Sequence, residues 1–345
     1  MIKSFFPAEW HPQDAVQLTW PHAGTDWAGS LEEANACFVQ IARAIAQRQK
    51  LIIICREIHQ VKAQLADCNI ANIRLHELPT NDTWARDHAG ITIYENEKPV
   101  LLDFRFNGWG LKFAANLDNL IPRRMYQDGL FAKGLSYRNM QHFVLEGGAL
   151  ESDGMGTLLT TAGCLLANNR NDHLDKTQIE NELKRIFHLK RVLWLHHGYL
   201  EGDDTDSHVD TLARFCDAQT IAYVRCEDEH DPHYEALRDM ELELRKMKTP
   251  EGKPYRLLPL PMAKAVTDEA GHRLPATYAN FLILNEAVLV PFYGHTDKDQ
   301  QAKAVLQEAF AQRELIGINC EALIRQHGSL HCVTMQYPRG SYDGF

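Results

Sequence analysis

Three stretches of this chain are dense in groups that can do chemistry: NDTWARDHAG (81–90), GYLEGDDTDSHVDTLARF (198–215) and HGSLHCVTMQYP (327–338). The middle one carries Glu201, Asp203, Asp204, Asp206, His208 and Asp210. A run of acids is ordinarily a solvated loop, and that reading is sufficient for Asp203, Asp204 and Asp206 taken alone. SHVDTLARF differs, because it passes from polar residues into an alternating apolar pattern. The alternation predicts His208 and Asp210 at i, i+2 on one face of a strand. An imidazole beside a carboxylate suits a metal site, with His196 and His197 nearby in sequence. It suits equally a general acid/base beside a substrate-binding carboxylate.

In the third stretch, Cys332 follows His331 and opens another apolar/polar alternation. A cysteine in such a place is most often a small buried packing residue. A His–Asp pair and a further acidic loop far away in sequence give it a second reading, as a thiolate nucleophile. The first stretch supplies the further acid. Trp84 with Asp82 and Asp87 can wall a cation site; the ordinary alternative is a core tryptophan with Asp–Arg86 pairing at the surface. Glu146 in LEGG is a fourth candidate contact, since Gly147 and Gly148 would let the backbone pass close to a ligand. Trp20 and Trp109 are further candidate pocket walls.

These groups need a scaffold, and the chain alternates strand and helix patterns throughout. Strands are predicted at AVQLTW (15–20), LIIIC (51–55), NIRLHEL (72–78) and VLLDFRF (100–106). SLEEANACFVQIARAIAQR (30–48) reads as a helix with Ser30 as N-cap and Glu33 at N3. Later helix patterns begin near 117, 173, 233 and 299, each followed by an apolar run: HFVLE, RVLWL, RLLPL and ELIGI. In the second of these helices, Ile179, Leu183, Ile186 and Phe187 share one face and Glu180–Lys184 is an i, i+4 pair. Paired short strands are predicted for GTLLTTA (156–162) with LLAN (165–168), and for NFLILN (280–285) with AVLVPF (287–292). The roughly 60-residue spacing suggests a repeated strand–helix unit. No linker divides the chain, so a single domain over 1–345 is expected.

Composition narrows the function. A chain of 345 residues, 45% hydrophobic and 24% charged, can bury a core. Its 46 acids against 36 Lys+Arg give a net charge of -10, and no basic cluster suits nucleic acid. No apolar run approaches the ~18 residues of a membrane span. MIKSFFPAEWHPQD does not read as a signal peptide. Its eight cysteines include no CxxC pair, so reduced thiols and a cytoplasmic location are expected.

Over nearly the whole chain, ordered motifs resemble the agmatine deiminase and bacterial-type peptidylarginine deiminase family of the guanidine-modifying superfamily. They include PAEWHPQDAVQLTWP (7–21), NDTWARD (81–87), LDFRFNGWG (102–110), LEGGALESDG (145–154), NRN (169–171), GDDTDSHVDTLARF (202–215), YANFLILN (278–285), VLVPFYG (288–294) and GSLHCVTMQYP (328–338). The resemblance implies an α/β fold, a five-bladed propeller (pentein) of strand–helix units around a central site. It puts the nucleophile on Cys332, the His-x-Asp pair on His208 and Asp210, and the first acid on Asp87. Asp87 and Asp210 would hold a guanidinium, with Glu146, Trp84, Trp20, Trp109 and Asp204 as further substrate contacts. No metal or organic cofactor is implied, and a homo-oligomer is compatible with the family. HGSLHCVTMQ, with Ser329 and Leu330, departs from the most familiar agmatine deiminase pattern, as does GDDTDSHVD, so the substrate's tail stays open. Free arginine would need a basic partner such as Arg86, Arg105 or Arg214, and a peptide would need an open site. The expected reaction is hydrolysis of agmatine to N-carbamoylputrescine and ammonia. Rival readings are a metal-dependent hydrolase using Asp204, Asp206, His208 and Asp210, a cationic-ligand binding protein, and an amidinotransferase.

Overall fold

The computed structural model describes residues 3–344. Among them, sixteen strands form five small sheets. In chain order these are β1 (Gln13–Thr19), β2 (Lys50–Cys55), β3 (Ile73–Glu77), β4 (Ile91–Glu95), β5 (Lys98–Arg105), β6 (Ser136–Val144), β7 (Glu151–Ser152), β8 (Thr157–Thr161), β9 (Arg191–Leu195), β10 (Ala213–Asp217), β11 (Thr220–Arg225), β12 (Arg256–Pro261), β13 (Leu282–Ile283), β14 (Ala287–Phe292), β15 (Glu314–Asn319) and β16 (Thr334–Pro338).

One pattern recurs in every sheet. A first strand pairs antiparallel with a second, the chain crosses over through a helix, and a third strand pairs parallel with the second. The crossover helices are Leu31–Ala46, Ile121–Gln127, Lys176–Phe187, Tyr234–Lys246 and Thr296–Ala309. Parallel strands need such a crossover, whereas antiparallel neighbours need only a turn. The fifth sheet is built from both ends of the sequence: β16 takes the first-strand place against β1, with Leu18 opposite Thr334, and β3 adds a fourth strand. The result is a five-bladed α/β propeller.

The helix Lys176–Phe187 shows why these sequences take these forms. Asp175 and Gln178 make a capping box, and Ile179, Leu183, Ile186 and Phe187 are buried on one face. Glu180 and Lys184 pair at 2.6 Å on another. At Leu31–Ala46 the expected cap is not made, for Ser30 ends a 3-10 turn and its hydroxyl caps nothing. LLAN (165–168) is not a strand. Thr161 caps a helical turn at Ala162–Leu165, and β8 pairs instead with the two-residue β7.

The loop before each first strand points to the propeller centre, and hydrogen bonds join neighbouring loops at four of the five junctions. Arg86 N–H donates to the Cys332 carbonyl at 3.0 Å, and Gly148 N–H to Asp87 Oδ1 at 3.0 Å. Asn280 Nδ2 donates to the Asp210 carbonyl at 3.3 Å, while Asn280 Oδ1 accepts from His331 N–H at 2.8 Å. Gly148 against His208 completes the circuit. Beneath lies a buried ion cluster. Arg214 pairs with Glu151 and with Glu9 (Nη2–Oε2 2.8 Å), and it also donates to the Phe281 carbonyl. Unlike most surface pairs, these groups have no water to fall back on, so removing one partner leaves a charge stranded.

Candidate active site

A narrow cavity opens at the centre, lined by Asp26, Asp82, Trp84, Asp87, Trp109, Phe113, Asp204, Thr205, Gln326, His327, Gly328 and Cys332. His208, Asp210 and Glu146 lie fully buried just behind this lining. An added Cβ on Gly148 would lie 2.5 Å from His208 Nδ1, 2.9 Å from Asp87 Oδ1 and 3.2 Å from Asp210 Oδ2, so only glycine fits where these three groups converge.

Asp87 sits on the short helix Ala85–His88. Its Oδ1 accepts from Gly148 N–H, and its Oδ2 accepts from Trp109 Nε1 at 2.9 Å. Trp109 reaches it from a left-handed stretch, with φ of 68° at Gly108, 54° at Trp109, 84° at Gly110 and 67° at Leu111. Such backbone is strained for non-glycine residues and is held here by its surroundings. At Gly110 an added Cβ would overlap the Asn169 amide. Burial raises the Asp87 pKa to about 6; Asp210 and Glu146 add to the rise while His208 opposes it.

His208 and Asp210 do not share a strand face. They lie around a 3-10 turn at Val209–Thr211, ahead of β10. The preceding acids divide by role. Asp203 accepts from Thr205 and Ser207 N–H, and Asp206 pairs with Lys112 (2.8 Å) and Arg170 (2.5 Å), so both shape the loop. Asp204 faces the cavity. His208 makes no hydrogen bond through either nitrogen, but Asp87 Oδ1 stands 3.6 Å from Nδ1 and Glu146 Oε2 stands 3.5 Å from Nε2. Burial works against its protonation, yet Asp87, Cys164 and Glu146 together raise its pKa well above the usual histidine range.

Cys332 is 4% exposed, and its Sγ lies 3.4 Å from Asn280 Oδ1. Burial, then the charges of Asp210 and Asp87, push its pKa well above that of a free thiol. Asp210 Oδ2 is bound by His331 Nδ1 at 2.7 Å, and its Oδ1 is buried without a partner. Burial alone would raise the Asp210 pKa, but His331 and then His208 bring it below the ordinary value.

Cys332, Asp87, Trp84, Trp109 and Asp204 therefore meet at one cavity, backed by His208, Asp210 and Glu146. Trp20 is not brought there. Its ring packs edge-on against Phe38, and its Nε1 donates to Asn35 (2.8 Å) and Gln64 (3.1 Å) beside another cavity. Its place beside Trp84 is taken by Trp27, at 5.7 Å between ring centroids. Glu146 is gripped by Arg170 Nε at 2.9 Å; burial works to raise its pKa, but His208 and then Arg170 bring it below the ordinary value. Three residues gained no individual role from sequence: Asn280, His331 and Arg170. Each stood inside a quoted motif, YANFLILN, GSLHCVTMQYP or NRN, which was the available signal.

The sequence profile of the family described as Porphyromonas-type peptidyl-arginine deiminase matches residues 5–338. A Marinomonas sp. (strain MWYL1) protein named "Putative agmatine deiminase" is 33% identical over 350 residues, covering 96% of this chain and 94% of its own. A solved Porphyromonas gingivalis structure named "Putative Arginine Deiminase" is 56% identical, covers 99% of this chain and 100% of its own, and superposes with a TM-score of 0.94. The agmatine deiminase of C. jejuni, solved as a Cys-to-Ser variant with substrate bound, is 39% identical, covers 98% of this chain and 97% of its own, and gives a TM-score of 0.91. With the match running through all five blades, this chain belongs to the Porphyromonas-type peptidyl-arginine deiminase family.

Proposed function

We propose that the protein is an agmatine deiminase, hydrolysing agmatine to N-carbamoylputrescine and ammonia. One observation carries the choice of substrate: Asp26, Asp82, Asp87 and Asp204 line the cavity, and among the described residues no lysine or arginine does. Agmatine is cationic at both ends. Free arginine would bring a carboxylate among these acids. Arg86 and Arg214, the cations it could have used, are buried in the ion cluster instead, and Arg105 is exposed outside the lining.

In this reading Asp87 and Asp210 hold the planar guanidinium by charge-assisted hydrogen bonds and aim its central carbon at Cys332. Burial and then the two carboxylates keep Cys332 protonated; the bound cation offsets the carboxylates, so the thiol loses its proton to solvent as substrate arrives. The thiolate attacks the central carbon and gives a tetrahedral adduct. His208, favoured as imidazolium by Asp87 and Glu146, protonates the departing ammonia and leaves a covalent thiouronium. The neutral imidazole then takes a proton from water, whose attack releases the ureido product and returns the thiol. Trp84 and Trp109 wall the site, and Glu146 holds the imidazole from behind. Eight free cysteines support a reducing, cytoplasmic setting for this activity.

Ammonia release from agmatine, arginine and an arginine peptide tests the reading. Agmatine should be preferred, and Cys332→Ala should release none. The name of the 56% identical P. gingivalis structure favours arginine as the second reading. Faster turnover of arginine than agmatine would establish it and sink the first.

A further inference from the structure

Cys164 occupies a position that the reaction above does not use. It is fully buried in the helical turn Ala162–Leu165 that follows β8, outside the lining of the central cavity. Its Sγ lies 3.6 Å from Glu146 Oε2, and the same oxygen lies 3.5 Å from His208 Nε2. All three ligating atoms fall within 4.8 Å of one another.

These separations have a chemical meaning. A tetrahedral zinc with bonds of about 2.0–2.3 Å to N, O and S sets its ligand atoms roughly 3.3–3.8 Å apart. The two measured edges fall inside that range. Both His208 nitrogens are buried without a hydrogen-bond partner, so Nε2 is free to ligate. The outer contacts also fit. Metal-bound histidines commonly donate their other N–H to a carboxylate, and Asp87 Oδ1 stands 3.6 Å from Nδ1. Glu146 is oriented by Arg170, itself braced by Asp206 and the Thr205 carbonyl. A carboxylate has about four acceptor sites, so it can bind zinc and keep Arg170.

We propose that Glu146, Cys164 and His208 form a zinc-binding site whose occupation silences the enzyme. The metal would have one thiolate, one imidazole and one carboxylate, with water in the fourth place. With Nε2 ligated, Nδ1 keeps the ring's one remaining hydrogen toward Asp87, so His208 has neither an imidazolium proton to give to ammonia nor a free lone pair to take one from water. That inhibitory consequence rests on the role proposed for His208; the metal site does not.

The test separates Cys164 from Cys332. Zinc should inhibit ammonia release reversibly, with recovery on chelation. Cys164→Ala, with Cys164→Ser as a second variant, should stay active without zinc and need at least about tenfold more zinc for the same inhibition. In the Cys332→Ala background, cobalt(II) used as a zinc substitute should give a thiolate-to-cobalt charge-transfer band. Adding Cys164→Ala should abolish it. A band that survives, or equal zinc sensitivity of wild type and both Cys164 variants, would overturn the site. Zinc bound at Cys164 with activity undiminished would overturn the inhibition and, with it, the role given to His208. Failure of ammonia release from every guanidine tested would count against the proposed function alone, because the cobalt band needs no turnover.

Discussion

His331 bridges Asp210 and Glu9, with Nδ1 2.7 Å from Asp210 Oδ2 and Nε2 2.6 Å from Glu9 Oε2. It ties Asp210 to the ion cluster under the ring of loops. His331→Ala would leave two buried carboxylates short of a partner, at a cost of about 3–5 kcal/mol. A clear fall in the urea midpoint is expected, together with a loss of kcat/KM. His331→Gln, which restores one donor, should recover part of both. An unchanged midpoint in the alanine variant would show that the bridge carries no weight.

The pH dependence follows from Asp87. Its carboxyl is held up to about 6, mainly by burial, and it must be ionised to receive a guanidinium. Since kcat/KM reports the free enzyme, it should rise with pH through about 6, falling nearly tenfold per pH unit below. Asp87→Asn should abolish most turnover and remove that limb. A profile that is flat across this range would contradict the assignment.

Trp109 donates to Asp87 and Trp20 does not, so the two tryptophans should respond differently. Trp109→Phe loses a hydrogen bond to an ionised acceptor, worth about 1.5–3 kcal/mol, or roughly 10–100-fold in kcat/KM. Trp20→Phe should leave KM for agmatine unchanged and show only in thermal stability. A raised KM in Trp20→Phe would mean that its pocket communicates with the site.

Gly148→Ala is expected to cost activity without unfolding the chain. The new methyl must displace His208 or Asp87, and a misplacement of about 1 Å can cost about 100-fold in rate. Circular dichroism should match wild type while kcat falls by that order. Full activity would require the three groups to be more loosely set than their spacing here.

Much of the scaffold could be read in the sequence because burial imposes periodicity. LIIIC became β2, and the face Ile179, Leu183, Ile186 and Phe187 became the buried side of a crossover helix. Closure into five blades was implied only by resemblance. Local signals failed where a partner strand or a capping side chain decides the outcome. The two-residue β7 exists through its pairing with β8, and LLAN was drawn out of a strand by the Thr161 cap. Cys332, His208, Asp87 and Asp210 could be named from reactive types in ordered motifs. Their meeting could not, because it depends on Gly148, Asn280 and His331, which act across blades. Trp20 misled for the converse reason: its strand end faces Asn35 and Gln64 rather than the axis.

Pairing between β1 and β16 has a consequence for how the molecule is made. On the ribosome, the acids and His208 emerge long before Cys332. Until β16 emerges, β1 keeps one edge unpaired and the nucleophile is still inside the exit tunnel or not yet added. The segment that completes the sheet also delivers the thiol. Structural completion and chemical competence therefore arrive together, because the segment that ends in β16 also brings the His331 that binds Asp210 and the Cys332 carbonyl that binds Arg86.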